Sequence, residues 1–224
     1  MLGAAGSVRR FITRQRGPMT SFVSRLVAVA ALAIAIAGPA GAQSVVGKGR
    51  TGPVPEPVNL DPTELFLEKF VCVGDDLFIG GQPTEKALRE LKARGVVTVV
   101  NLRMPSEMAA VGFDEPALLK ELGMAYVHIL MRGTPENPYG PKQLDRFAAT
   151  MAAAHRKVLL HCTIAWRASH LWAAYLIRDR NVPVETALAH ARMINLREEA
   201  PFGAQHPIEG FLERTLPGLA RPTP

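Results

Sequence analysis

Two runs without polar alternation constrain this chain more than any other feature: residues 96–100, Val-Val-Thr-Val-Val, and residues 158–161, Val-Leu-Leu-His. A strand with one face in water alternates polar and apolar residues. A strand without that alternation is covered on both faces, the usual state of a parallel strand between helical layers. Helical patterns stand around both runs. Thr84 reads as an N-cap, with Ala87, Leu88 and Leu91 on one face of a short helix ending at Gly95. Helices are predicted over 115–122, 142–155, 168–178 and 184–195, with a short last one near 207–214. Strands are predicted over 70–73 and 77–79, around the turn Gly74-Asp75-Asp76, and over 126–130. Strands alternating with helices predict an α/β fold with a mainly parallel sheet. In such sheets ligands sit beyond the carboxyl ends of the strands.

Composition narrows the function classes. The 224 residues carry a formal charge of +6, which by itself suggests a nucleic-acid partner. The excess is local. Residues 1–42 hold five arginines (Arg9, Arg10, Arg14, Arg16, Arg25) and no acid. The remaining residues hold 21 basic and 20 acidic side chains, too even a balance to neutralise a phosphate backbone. After Arg25 comes an apolar run over 26–37 and then Ala40-Gly41-Ala42. A positive stretch, a short apolar core and a small-residue site are the parts of a signal peptide, here with cleavage after Ala42. Met19 offers an alternative start. The core is shorter than the roughly 20 apolar residues of a membrane span, and an uncleaved anchor is the competing reading. Either way the domain is expected outside the cytoplasm, periplasmic or secreted, with no stable membrane insertion after cleavage. Residues 43–63, rich in Gly and Pro, read as a linker; 64–215 as one domain; 216–224 as a tail.

The end of the second run carries the chemistry: His161-Cys162-Thr163-Ile164-Ala165-Trp166-Arg167, with a helix expected directly after it. A Cys at a helix N-terminus faces unpaired N–H groups and the positive end of the helix dipole, and both favour thiolate. The same N–H groups form an anion cradle. An Arg closing the loop can hold two oxygens of a phosphate as a fork. Nucleophile, cradle and clamp are what phosphoryl transfer to sulfur requires. Two plainer readings stand beside this one: Cys162 as a small core residue, and Cys162 joined to Cys72 as a disulfide in an exported protein.

The Cys-x4-Arg loop resembles that of the cysteine-dependent phosphatases, in particular the beta-lactamase-hydrolase-like branch of the dual-specificity and protein-tyrosine phosphatase superfamily. Gly80-Gly81-Gln82-Pro83 after a strand and Asn101-Leu102-Arg103 after the next, with Glu107 following, fit the same resemblance. It covers about residues 70–180. It implies a phosphatase-like three-layer fold, Cys162 as nucleophile, Arg167 as phosphate clamp and His161 as the residue tuning the thiolate. Thr163, Ile164, Ala165, Trp166 and Arg103 would bind substrate, Arg103 being equally readable as a structural partner of Glu107. No cofactor is implied. The substrate would be a phosphorylated small molecule or a phosphoprotein.

The loop departs from that pattern at Ala165, where relatives carry Gly, and at Ala168, where a hydroxyl is common. No Asp stands at an evident general-acid position. Glu136, in the Gly/Pro loop 132–141, and Asp114 are the candidates, with Glu107 another. His128 reads as a core residue. His155, His170, His190 and His206 show no metal-ligand spacing, so no metal site is expected. The competing functions are a rhodanese-type sulfurtransferase and an oxyanion-binding or scaffold module without turnover.

Overall fold

In the computed structural model the described residues are 52–155, 157–197, 206–217 and 219. The chain divides into two units, Met1–Ser44 and Val45–Pro224, and every described residue belongs to the second. The signal-peptide reading of 1–42 and most of the tail lie outside the described residues.

The elements run β1 (Pro57–Asn59), β2 (Phe70–Val73), β3 (Leu77–Gly80), α1 (Glu85–Ala93), β4 (Val96–Asn101), α2 (Pro105–Met108), α3 (Glu115–Glu121), β5 (Ala125–His128), α4 (Pro141–Ala153), β6 (Lys157–His161), α5 (Trp166–Asp179), α6 (Val184–Ile194) and α7 (Pro207–Leu212). They form an α/β fold around a six-stranded sheet of order β1-β2-β3-β6-β4-β5. Strands β3, β6, β4 and β5 are parallel, while β1 and β2 add an antiparallel edge. Both runs are interior strands, as their lack of alternation requires.

Alternation along each strand sorts the core into two layers. Val71, Ile79, Val100, Val158 and Leu160 face the helices that include α4, α5, α6 and α7. Phe70, Phe78, Val99 and Leu159 face α1 and α3. Cys72 packs in the second layer and Cys162 in the first, and both thiols are free. The disulfide reading fails because the sheet lies between the two sulfurs.

Three local features differ from expectation. Residues 57–59, within the expected linker, form the edge strand β1, which completes the ladder of β2. Residues 105–108 form α2, started by Pro105 and capped by the Glu107 carboxylate, which accepts the Met104 N–H at 2.8 Å. Helix α5 begins at Trp166, so Arg167 lies in its first turn. Among the described residues no helix is long and apolar enough to cross a membrane.

Candidate active site

Strand β6 enters the sheet between β3 and β4, and His161 is level with Gly80 on one side and Asn101 on the other. Three strand ends therefore converge, and the chain leaves each of them in a tight turn. The His161 carbonyl accepts the Leu102 N–H at 3.0 Å, which ties the Cys162 loop to the Asn-Leu-Arg turn.

The loop 162–167 holds its carbonyls outward. Thr163 O accepts the Gln82 N–H at 2.8 Å. Ile164 O accepts the Asn195 side-chain amide at 2.5 Å. Trp166 O accepts the Ser169 hydroxyl and His170 Nδ1, both at 2.7 Å. In a trans peptide C=O and N–H point in opposite directions. The amides of Ile164, Ala165 and Arg167 therefore face the loop interior, a concavity of N–H dipoles at the start of the 14-residue helix α5. Ala165 makes the turn with φ of +66°, the left-handed region that favours Gly.

Gly81 permits the loop to be gripped from outside. A Cβ there would stand 1.9 Å from Leu67 O and 2.7 Å from Thr163 O. With none, the backbones of residues 67–69, the Gly-Gly-Gln-Pro turn and the Cys162 loop come into contact. Leu67 N–H donates to Gln82 O at 3.0 Å and Gly81 N–H to Lys69 O at 2.9 Å.

Arg167 is 8% exposed, and both of its terminal nitrogens are engaged. Its Nη1 donates to Leu102 O, Met131 O and Glu107 Oε2 at 3.1, 3.2 and 2.8 Å. Its Nη2 donates to Glu107 Oε1 at 2.6 Å and Thr163 Oγ1 at 3.0 Å. The Thr163 hydroxyl in turn donates to Glu107 Oε1 at 3.0 Å. Burial pushes the Glu107 carboxyl up, but the hydrogen bonds from Arg167 and the Met104 amide outweigh it and hold the group at about 2. Burial likewise opposes the Arg167 charge, and the Glu107 bond overrides it and raises the guanidinium further. Glu107 is thus an ionised orienter of Arg167 and no proton donor at neutral pH.

On the opposite face of the sheet, His161 Nε2 meets Glu115 Oε1 at 3.0 Å, with both side chains fully buried. Asn101 Nδ2 donates to the same oxygen at 3.0 Å and Gln82 Nε2 to Oε2 at 2.9 Å. Burial raises the Glu115 carboxyl, yet His161 and these donors bring it down to about 2. Gln82 also accepts from Arg103 Nη1 at 2.5 Å, and Arg103 Nη2 donates to the Glu107 backbone carbonyl at 2.8 Å. Arg103 is therefore 7% exposed and tied to Glu107 through its backbone carbonyl rather than its carboxylate. One polar network thus links both ends of the loop. Glu115 and Asn195 escape sequence reasoning: each reads as an ordinary helix-end residue, and its partner lies tens of residues away.

The mouth is a cavity of about 190 Å³ lined by Glu107, Arg132, Tyr139, Trp166 and Arg167. Tyr139 and Trp166 meet edge to face with centroids 6.1 Å apart. Burial pushes the Tyr139 phenol up to about 12, so it stays protonated. Cys162 is 1% exposed and lies outside this wall. Of the candidate acids, Glu136 is exposed in the turn after Arg132. Asp114 is the N-cap of α3, accepting the Ala117 N–H at 3.0 Å. His128 is half-buried, with Nε2 2.6 Å from Arg103 O. Among the described residues no three His, Cys, Asp or Glu side chains are grouped to hold a metal ion.

Comparison with known families decides the class. Residues 74–203 match the family described as DSP-PTPase phosphatase fused to NAD+ kinase. The chain belongs to this family. It is thereby a member of the dual-specificity and protein-tyrosine phosphatase superfamily. Among solved structures, PTPMT1 in complex with PI(5)P is 20% identical, covers 62% of this chain and 89% of that chain, and has a TM-score of 0.50, a likeness of fold. A DUF442 protein from Shewanella putrefaciens CN-32 is 30% identical, over 56% of this chain and 80% of that one, with a TM-score of 0.44. No curated protein matches.

Proposed function

We propose that this chain hydrolyses a phosphate monoester through a phosphocysteine intermediate, in the manner of the beta-lactamase-hydrolase-like branch. The observation that carries the reading is the cradle: outward carbonyls, inward amides and a fixed Arg167 surround the residue after β6. The Cys162 thiolate attacks phosphorus, an S–P bond forms and the ester P–O bond breaks. The departing oxygen takes its proton from water. A second water then attacks phosphorus and the S–P bond breaks; that water's proton neutralises the hydroxide left by the first water, phosphate is released and the thiolate is regenerated. The inward amides and Arg167 carry the charge of the equatorial oxygens. His161, held by Glu115, orients the nucleophile's end of the loop, and Trp166 forms the wall beside the ester.

With Glu107 ionised, Asp114 spent as a cap and Glu136 out in solvent, leaving groups that need little protonation are favoured. Aryl phosphates should therefore turn over faster than alkyl phosphates. The same shortage of an acid favours a second reading, an oxyanion-binding module without turnover. We further propose that residues 1–42 export the domain to the periplasm, where a free thiol is open to oxidation.

The test is hydrolysis of an aryl phosphate by the protein and by Cys162→Ser, with and without reductant. Turnover that vanishes in the Ser variant supports the covalent mechanism, and retained turnover overturns it. Phosphate binding without turnover selects the binding module, and sulfur transfer from thiosulfate to cyanide selects the rhodanese reading. Mass analysis of protein recovered from a Gram-negative periplasm should find Gln43 as the first residue.

A further inference from the structure

Ala165 is the one residue of the cradle in left-handed backbone, at φ +66°, and it is fully buried. An L-residue there is strained by its Cβ. Turning the Ile164–Ala165 peptide plane through half a turn would carry φ of Ala165 to the negative side and relieve that strain. It would also swing the Ile164 carbonyl into the cradle and take the Ala165 amide out of it, replacing a donor by a negative dipole where an anion must sit.

Among the described residues one side chain bonds the Ile164 carbonyl, beside the backbone bridge between Gly81 and Ile164 that holds the loop from its other side. Asn195 donates its amide to Ile164 O at 2.5 Å. The donor is itself anchored. Asn195 caps the C-terminus of α6, its own N–H donates to Ala191 O at 3.0 Å, and it is 8% exposed. Helix α6 buries Ala187, Leu188, Ala191 and Ile194 in the same core layer as α5, so its end is fixed relative to the loop.

We infer that Asn195 is a positioning residue of the anion cradle, holding the Ile164–Ala165 peptide in its donor-inward state against the strain at Ala165. This rests on the proposed anion-binding role of the loop. With glycine in place of Ala165 the strain disappears, and the need for Asn195 falls with it. Strain at one residue and restraint from another helix thus form a coupled pair.

The test is calorimetric binding of inorganic phosphate, with aryl phosphate turnover alongside. The full chain is compared as itself and as Asn195→Ala, Asn195→Asp, Ala165→Gly and the double variant Asn195→Ala with Ala165→Gly. Asn195→Asp keeps the size, removes the donor and adds a carboxylate charge, so it guards against a packing effect of Ala while the uncharged Ala variant guards against a charge effect of Asp. Both Asn195 variants should weaken phosphate about tenfold, whereas in the Ala165→Gly background the loss should shrink to about threefold or less. Equal losses in the two backgrounds, or none in either, overturn the inference. If the unaltered protein binds no phosphate, the proposed function fails, and crystal structures of the same variants decide this point alone. An Ile164 carbonyl turned inward in Asn195→Ala and outward in the double variant upholds it. A carbonyl outward in both overturns it.

Discussion

Cys162, Ala165 and Arg167 sit within six residues of one another, and different forces fix each. Alternation along β6 sends Cys162 to the α5 layer while His161 points to α3. Arg167 is held by two carbonyls and a bidentate Glu107. A lysine offers a point charge and cannot span both carboxylate oxygens. Arg167→Lys should lower kcat/KM by roughly a hundredfold or more, read in steady-state kinetics; near-normal values would make Arg167 structural. Ala165→Gly should stabilise the protein by about 1 kcal/mol in urea denaturation, since left-handed alanine costs roughly 1–2 kcal/mol and added chain entropy returns part of the gain.

The turn between β3 and α1 shows how one element serves another. Gly81 leaves room for two carbonyls, Gln82 bridges Glu115 and Arg103, and Thr84 caps α1 by accepting the Ala87 N–H at 3.2 Å. Gly81→Ala must push backbone against backbone. It is expected to cost about 2–3 kcal/mol of stability and to weaken phosphate binding with it. Thr84→Ala should cost about 1 kcal/mol and leave phosphate binding unchanged, because the cap touches nothing in the loop. Equal effects of the two on phosphate binding would separate the turn from the cradle.

Acid sensitivity belongs to the whole molecule, because buried ionisable groups lie in both layers. His170 is fully buried, and despite its bond to Trp166 O burial brings its imidazole down to about 3 from an ordinary 6.5. As pH falls below 6.5 the unfolded chain takes a proton that the fold refuses, so stability drops down to about pH 3. Glu115 is ionised in the fold down to about 2 against an ordinary 4.5. Its contribution is complete above 4.5 and is lost from there toward pH 2, roughly 3 kcal/mol in all. Urea denaturation between pH 7 and pH 3 should therefore show two limbs. Glu115→Gln should make only the lower one shallower, because Glu107 and His170 still titrate there; an unchanged lower limb would mean that Glu115 is not among the groups being protonated.

Features with a local cause could be read from the chain alone. A missing alternation marks a covered strand, a Thr before a helical period marks a cap, and a Cys at the end of a covered strand before a helical period marks the loop that joins them. Those features rest on a handful of adjacent residues and are legible in them. The edge strand at 57–59 and helix α2 were not, because one depends on a ladder offered by β2 and the other on a carboxylate folding back onto its own first turn. Folding in three dimensions was needed to set Cys72 and Cys162 on opposite faces, to bring Glu107 to Arg167 and Glu115 to His161, and to place Asn195 on Ile164. The three pairings join residues 31 to 60 positions apart. They follow from where β6 enters the sheet, and that is set by the packing of both layers together rather than by any stretch of chain.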